Sequence, residues 1–176
     1  MKTKRLVLSA LLAALTFVAT IVVQIKLTAN GYVNIGDCMV VICGVFLGPV
    51  YGVLSAGIGS VLADIISGYF IYVPATFIIK SLMALASFMV FCKMSKRNDI
   101  LAIAVSSFAA EVIMIVGYYL YEILLFGVKA AIVGMPGNLL QGGFGFLCSI
   151  VLYLALSKNK YIKNQITYWQ KSKKMS

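Results

Sequence analysis

The sequence predicts an all-α integral membrane protein, a bundle of six transmembrane helices with both termini on the cytoplasmic side. Of its 176 residues, 62% are apolar and 11% are charged, and the mean hydropathy is +1.01. A soluble domain has about half apolar residues and about a quarter charged ones. The apolar residues form continuous runs, whereas the strands of membrane barrels alternate, so helices are the predicted spanning elements. The placement of the basic residues predicts the number of spanning helices.

The first span follows the basic N-terminus MKTKR and has features of a signal peptide. Its apolar run, Leu6–Val23, has about 18 residues, whereas the apolar core of a signal peptide has about 7–15. We therefore expect it to remain as the first membrane helix. The predicted spans, which form one domain over residues 1–176, are about 6–25, 37–48, 50–67, 74–92, 100–126 and 131–157.

The segment Cys38–Ile66 decides the number of spans. Its roughly 29 residues exceed the about 20 that one crossing needs, yet they are too few for two full crossings and a loop. Gly48-Pro49 lies in its middle, where proline makes either a kink or a turn. With a turn there are six spans, and 12 of the 15 basic residues lie on the same side as both termini. Because basic loops stay in the cytoplasm, this distribution favours six spans and cytoplasmic termini.

The composition gives some functional classes little support. The chain has no histidine, which removes the commonest general base and metal ligand. Its four cysteines lie apart in apolar runs, so we predict small buried side chains rather than a disulfide or a metal site. No metal or cofactor is predicted. The lysine-rich tail from residue 158 onward is interpreted as a topology signal that touches anionic lipid, and not as a nucleic-acid-binding segment.

Polar side chains within the predicted spans cluster towards the outer side. Ionisable groups inside a membrane are costly and are functional candidates by default. These groups, and two amides of the sixth span, are predicted at mid-membrane or further out: Asp37, Asp64, Lys80, Glu111, Glu122, Asn138 and Gln141. No charged residue is predicted in the inner half of a span. This asymmetry favours a site that captures a molecule from outside over a path for ions.

Spacing indicates that several of these side chains converge. Glu111, Tyr118 and Glu122 follow the period of a helix and share one face, and the two amides of the sixth span are three residues apart. Lys80 is expected to neutralise one carboxylate and to leave other donors and acceptors for a ligand. The alternative is that all these groups only pair the helices with one another.

Tyrosines lie near the predicted outer ends of the spans. They include Tyr32, Tyr69, Tyr72, Tyr118, Tyr119 and Tyr121. An interfacial aromatic belt accounts for such tyrosines without a ligand, and so do stacking walls for a flat heteroaromatic ring. Both interpretations stay open at this point.

Several motifs together resemble one family, the substrate-binding S components of energy-coupling factor (ECF) transporters, which import vitamins into bacteria. They are GYVNIGD (31–37), LGP (47–49), GIGSVLAD (57–64), PATFIIK (74–80), GYYLYE (117–122) and PGNLLQGGFG (136–145). The resemblance covers essentially the whole chain. It implies a six-helix bundle in the bacterial cell membrane that holds a vitamin near the outer surface, under the loop between the first two helices. The implied partners are a transmembrane coupling protein and two cytoplasmic ATPases.

The resemblance and the polar cluster together give a predicted binding site. Its residues are Tyr32, Asn34, Asp37, Lys80, Tyr118, Glu122, Asn138 and Gln141. For Asp37, a role as the cap of the second helix is an equal alternative. Ala10 and Ala14 match the alanine pair that packs on the coupling protein in this family. The pattern looks closest to the branch associated with pyridoxine or hydroxymethylpyrimidine, with riboflavin next.

Three other functional classes are weaker. A membrane enzyme lacks histidine, paired catalytic carboxylates and a nucleophile with a nearby base. An autonomous carrier or channel predicts polar groups through the inner half of the spans, or inverted repeats. A purely structural subunit leaves the outer polar cluster unexplained. The sequence has no Walker motif, so energy for uphill transport is expected to come from partner subunits.

Overall fold

The structure, a computed structural model, describes residues 2–28, 31–95 and 98–159, which form five long helices and a β-hairpin. Their bounds are α1 Lys2–Val22, β1 Gln24–Thr28, β2 Gly31–Asn34, α2 Gly36–Ile66, α3 Val73–Met94, α4 Asp99–Phe126 and α5 Val128–Ser157, with a 3₁₀ turn at Phe70–Tyr72 before α3.

All five helices contain a stretch that is long and apolar enough to cross a membrane. Many large apolar side chains point outward, and Leu124 is 82% exposed. Such a surface is far more apolar than that of a soluble protein and suits contact with lipid. The prediction of an apolar helical bundle is confirmed, with five continuous elements where the sequence predicted six spans.

The predicted spans 37–48 and 50–67 both lie in α2, which is interrupted at Gly48. The backbone of Gly48 has φ 81° and ψ −169°, a conformation that glycine adopts far more readily than other residues. A Cβ on Gly52 would overlap the carbonyl oxygen of Cys43, although nine residues of continuous helix would separate them by about 13.5 Å. The part of α2 after the break (49–66, α2C) therefore folds back along the part before it (36–47, α2N).

Contacts with α1 give the direction of α2N. A Cβ on Gly36, at the start of α2N, would overlap the Thr20 hydroxyl near the end of α1. Further along α2N, the Cys43 sulfur lies 3.6 Å from the Thr16 hydroxyl. Sequence numbers rise along α2N as they fall along α1, so the two helices are antiparallel.

Other contacts with α1 show that α2C runs the opposite way. The hydroxyls of Ser9 and Ser55 are 2.6 Å apart, and Gln24, just beyond α1, donates a 2.7 Å hydrogen bond to Ser67, just beyond α2C. The end of α2C therefore lies beside the start of α2N and beside the β-hairpin. We call this end of the bundle the cavity end.

The core of the bundle is α2N. Every residue from Gly36 to Gly48 is buried, and a helix that is apolar all round belongs inside a protein. Its partner α3 approaches closely, because a Cβ on Gly44 would overlap the carbonyl of Ala84. Polar side chains at the start of α2N therefore have no access to solvent and must find partners inside the bundle.

The β-hairpin departs from the all-α prediction. The first span was expected to reach residue 25, but α1 ends at Val22 and the chain continues as β1. The two strands are antiparallel, with Gln24 opposite Asn34 and Ile25 opposite Val33. Strand pairing satisfies backbone N–H and C=O groups that a helix end would leave without partners. The hairpin brings residues of the GYVNIGD motif onto the cavity end.

Candidate functional site

A cavity lies at the cavity end, between β2 and the adjoining ends of α2C, α3, α4 and α5. It encloses about 640 Å³ of empty space, including its open mouth. Six of the predicted site residues line it: Asn34, Lys80, Tyr118, Glu122, Asn138 and Gln141. The cavity is therefore the place where the predicted site residues meet.

Two other predicted site residues are not among the lining residues. Asp37 is fully buried, with 0% of its surface exposed, and reaches the cavity only through its neighbours. Tyr32 belongs to β2, but its side chain lies outside the part of the chain that the structure describes. The prediction for Tyr32 therefore stays a prediction. Asp37 lies behind the cavity lining and contacts two lining residues, Lys80 and Gln141.

A buried polar network joins four elements below the cavity. Lys80 of α3 forms an ion pair with Asp37 of α2N. The second oxygen of Asp37 accepts a 2.7 Å hydrogen bond from Nε2 of Gln141 on α5. Oε1 of Gln141 accepts bonds of 3.2 Å from the backbone N–H of Asn34 and 3.3 Å from its Nδ2. Buried ion pairs persist when further hydrogen bonds satisfy them, as they do here.

This network settles which carboxylate neutralises Lys80, and it changes the role expected of Asp37. The helix cap predicted as an alternative for Asp37 is not formed, because the N-cap residue of α2 is Ile35, whose own side chain makes no capping hydrogen bond. Asn34 instead accepts a 2.8 Å hydrogen bond from the backbone N–H of Gly36. Asn34 thereby satisfies the first backbone donor of the helix, as capping side chains do.

Tyrosines form one wall of the cavity. The ring of Tyr72 lies 6.3 Å from that of Tyr118, 5.9 Å from that of Tyr121 and 6.4 Å from that of Tyr69, between ring centres. The Tyr118 hydroxyl is 2.9 Å from that of Thr76. These spacings are typical of packed aromatic pairs. Tyr69, Tyr72 and Tyr118 of this cluster line the cavity, and Lys80 Nζ lies 5.4 Å from the centre of the Tyr118 ring. The tyrosines can therefore contact a flat ligand, and both interpretations of them stay open.

Polar groups of α4 and α5 also line the cavity. The Nδ2 atom of Asn138 is buried and has no hydrogen-bond partner among the residues described. The Glu122 carboxylate lies against Gly134, where a Cβ would come within 2.6 Å of it. A buried donor without a partner is costly. Asn138 thus offers a ligand a hydrogen bond that the described part of the protein does not use.

Glu111 shares the α4 face of Tyr118 and Glu122, as predicted, but it lies deeper and does not line the cavity. It is 3% exposed, and neither carboxyl oxygen has a hydrogen-bond partner within the described ranges. A Cβ on Gly145 of α5 would overlap its carboxyl group. Glu111 therefore occupies the contact between α4 and α5 beneath the site.

Sequence reasoning missed the hydroxyl side chains that line the cavity, namely Thr20, Ser60 and Thr76. Helical spacing was an available signal for two of them. Thr76 precedes Lys80 by four residues, and Ser60 precedes Asp64, another lining residue, by four. Residues four apart share a helix face. The position of each charged residue therefore predicts that the hydroxyl one turn before it faces the same site.

The structure leaves the predicted partner-binding pair accessible. Ala10 and Ala14 are both exposed on α1, on the side away from Leu12 and Thr16, which are buried against the bundle. The described cysteines are free. The described ranges contain no group of three or more acidic or cysteine side chains able to hold a metal ion.

Comparisons with known proteins agree with this architecture. A solved structure described as "Structure and mechanism of the S component of a bacterial ECF transporter" has the same fold, with a TM-score of 0.62 over 90% of this chain and 98% of that one, at 19% identity. A protein of Pyrococcus woesei, described as "Uncharacterized protein in gap 3'region", is 28% identical over 139 residues, which are 74% of this chain and 91% of the relative.

A family model described as "ECF-type riboflavin transporter, S component" matches residues 1–158. This match spans every helix and both strands described above. The chain is thus a multi-pass membrane protein and belongs to the family of ECF-type riboflavin transporter S components, the substrate-binding subunits of these transporters.

Proposed function

We propose that this protein captures riboflavin from outside the cell and delivers it through a transmembrane coupling protein driven by two cytoplasmic ATPases. The cavity is the observation that carries the proposal. It combines the tyrosine wall, with Tyr72 and Tyr118, and polar lining groups, among which Asn138 holds a donor that no described residue uses. A ligand with a flat face and with acceptors at its edge complements both kinds of group.

Riboflavin fits these walls better than the single-ring compounds do. The resemblance of the motifs placed pyridoxine or hydroxymethylpyrimidine first, whereas the matching family is described by riboflavin. Riboflavin has a three-ring plane, an edge with carbonyl acceptors and a hydroxylated side chain. A plane of this length can contact more than one of the tyrosines Tyr69, Tyr72 and Tyr118, which all line the cavity, and the hydroxyls match the carboxylate and amides that line the same cavity. A single ring would leave much of the wall uncovered.

We also propose six membrane crossings, with both termini in the cytoplasm of a bacterial cell. The reversal of α2 at Gly48 supports this count, because α2N and α2C run in opposite directions. Much of the basic charge behind the predicted sidedness, at residues 96–97 and beyond 159, lies outside the described residues. With six crossings, the cavity end faces the outside and can receive a vitamin there.

Riboflavin titration of the purified full-length protein in detergent tests the proposed ligand. Flavin fluorescence is quenched when the ring stacks on tyrosines, so we expect saturable quenching with one riboflavin per chain. Pyridoxine and hydroxymethylpyrimidine are the matched competitors, and we expect neither to displace riboflavin at equal concentration. Saturable binding of either competitor, together with no quenching of riboflavin, would show that the ligand assignment is wrong.

A further inference from the structure

The four-membered network below the cavity connects a cavity residue to the hairpin that covers it. Lys80 lines the cavity and forms an ion pair with Asp37. Asp37 accepts a hydrogen bond from Gln141, and Gln141 accepts one from Asn34. Lys80 lies on α3, whereas Asn34 ends β2. This series of contacts therefore runs across the bundle from α3, in the wall of the cavity, to the β-hairpin.

Most polar atoms of this network are already used by the protein. Asp37 accepts from Lys80 with one oxygen and from Gln141 with the other. The amide oxygen of Asn34 accepts from Gly36, and its nitrogen donates to Gln141. Side chains whose groups are occupied in this way have little left for a ligand. Their arrangement suits them to hold other parts of the protein in place.

The orientation of the Gln141 amide depends on Asp37. A carboxylate can only accept hydrogen bonds, so Nε2 of Gln141 must face Asp37 and Oε1 must face away from it. Oε1 then meets the two donors of Asn34, its backbone N–H and its Nδ2, at 3.2 and 3.3 Å. Without Asp37, either end of the amide can face Asn34, and one of the two would place donors against donors.

The hairpin needs such an attachment. An isolated two-stranded hairpin is marginally stable at best in water. Among the described side chains of the hairpin, Gln24 bonds to Ser67 beside α2C, and Asn34 bonds to Gln141. The attachment through Gln141 lies next to the cavity.

We infer that Asp37 and Gln141 are positioning residues that act as a latch, holding the hairpin closed over the cavity, so that ligand escape requires the bond between Gln141 and Asn34 to break. The inference rests on the proposed function for its ligand, but the latch itself is a property of the protein without ligand. It assigns Asp37 and Gln141 a role in retention and leaves recognition to the tyrosine wall and Asn138.

Hydrogen exchange of the ligand-free, full-length protein tests the latch directly. In Gln141→Leu, we expect the peptide that contains Val33 and Asn34 to exchange about tenfold faster, since the Asn34 amide loses its acceptor. In the double variant Lys80→Met/Asp37→Leu, we expect faster exchange of the same peptide, although Lys80 lies on another helix. The double variant removes both charges together and leaves no buried charge without a partner.

Thr76→Val is the matched control, because it removes a cavity hydrogen bond that has no connection to the hairpin. Its Val33–Asn34 peptide should exchange as in the unchanged protein. Asn34→Asp is a second variant outside the helices: it keeps the acceptor for Gly36 but places an oxygen against Oε1 of Gln141, so it should also accelerate exchange. Unchanged exchange in Gln141→Leu and in Asn34→Asp would overturn the latch.

Riboflavin kinetics separate retention from recognition. For Gln141→Leu we expect dissociation and association both to be about tenfold faster with little change in affinity, because the same bond must break before the ligand can leave or enter. Faster dissociation with unchanged hairpin exchange would mean that Gln141 only touches the ligand, and would overturn the latch. If the unchanged protein binds no riboflavin, the proposed ligand fails, and the exchange measurement still decides the latch.

Discussion

Two asparagines show how surroundings decide what one side chain does. Asn98 precedes α4, and its Oδ1 accepts hydrogen bonds of 2.8 Å from Ile100 N–H and 3.1 Å from Leu101 N–H. It caps a helix. Asn138 lines the cavity, and its Nδ2 finds no acceptor among the described residues. One amide caps a helix at one end of the bundle, and the other keeps a donor at the opposite end that a ligand could use under the proposed function.

Exchanging each asparagine for alanine should separate these roles. Asn138→Ala should weaken riboflavin binding about tenfold, since a hydrogen bond to the ligand is lost, and should leave the melting temperature unchanged or slightly higher. Asn98→Ala should reduce stability by about 1 kcal/mol and leave the affinity unchanged. Titration and thermal unfolding of both variants check this. Normal affinity in Asn138→Ala would exclude a contact between its amide and the ligand.

At the residue level, the sequence predicted which polar groups come together better than how they pair. Lys80 and Gln141 were found because polar groups are rare inside membranes. The pairing of Lys80 with Asp37 depends on the packing of α3 against α2N, which helical periodicity does not contain. Hydroxyls such as Thr20 were missed because they usually bond to their own helix, and Thr20 does donate a 2.7 Å bond to the Thr16 carbonyl while it lines the cavity.

At the level of elements, the prediction for α2 located the interruption of the helix but left its kind open. The sequence identified Gly48-Pro49 as either a kink or a turn, and the contact between Gly52 and Cys43 is that of a chain folding back. A short α2N is possible because it is surrounded by protein and need not match the bilayer by itself. The β-hairpin was not predicted, because its strands are five and four residues long and follow an apolar run that reads as helix.

Variants that each add one cysteine at an exposed position should establish the number of membrane crossings. With six, Thr3→Cys and Asp99→Cys share the inner side and react with a membrane-impermeant thiol reagent only in permeabilised cells. Lys129→Cys, at the start of α5, should react in intact cells. The unchanged protein is the control, since three of its cysteines are buried and Cys148 is half-buried. Opposite sidedness of Thr3→Cys and Asp99→Cys would indicate five crossings.

At the scale of the whole molecule, we propose separate tasks for two surfaces. The cavity end holds the polar network and the tyrosine wall, while the long sides of the helices carry exposed apolar residues. Small side chains allow helices to approach closely in membranes. Ala10 and Ala14 are exposed on α1, and they make a shallow face on which a further membrane helix can pack, as the family resemblance implies for the coupling protein.

Filling that face should block delivery without affecting capture. In Ala10→Leu/Ala14→Leu we expect normal riboflavin titration, because neither alanine lines the cavity. Uptake should fall to the background of cells without the ATPases, because the larger side chains prevent close helix approach. Ala155→Leu is the matched control, an exposed alanine on α5, and should leave both properties unchanged. Loss of riboflavin binding in the double variant would mean that the alanines pack the bundle.

The ion pair between Lys80 and Asp37 has an electrical consequence. A charge that crosses the whole membrane potential gains or loses about 2.3 kcal/mol per 100 mV. Because the two charges are in contact and of opposite sign, they move together, and the work done on one cancels the work done on the other. Any motion that carries the cavity across the bilayer therefore gains no gating charge from this ion pair.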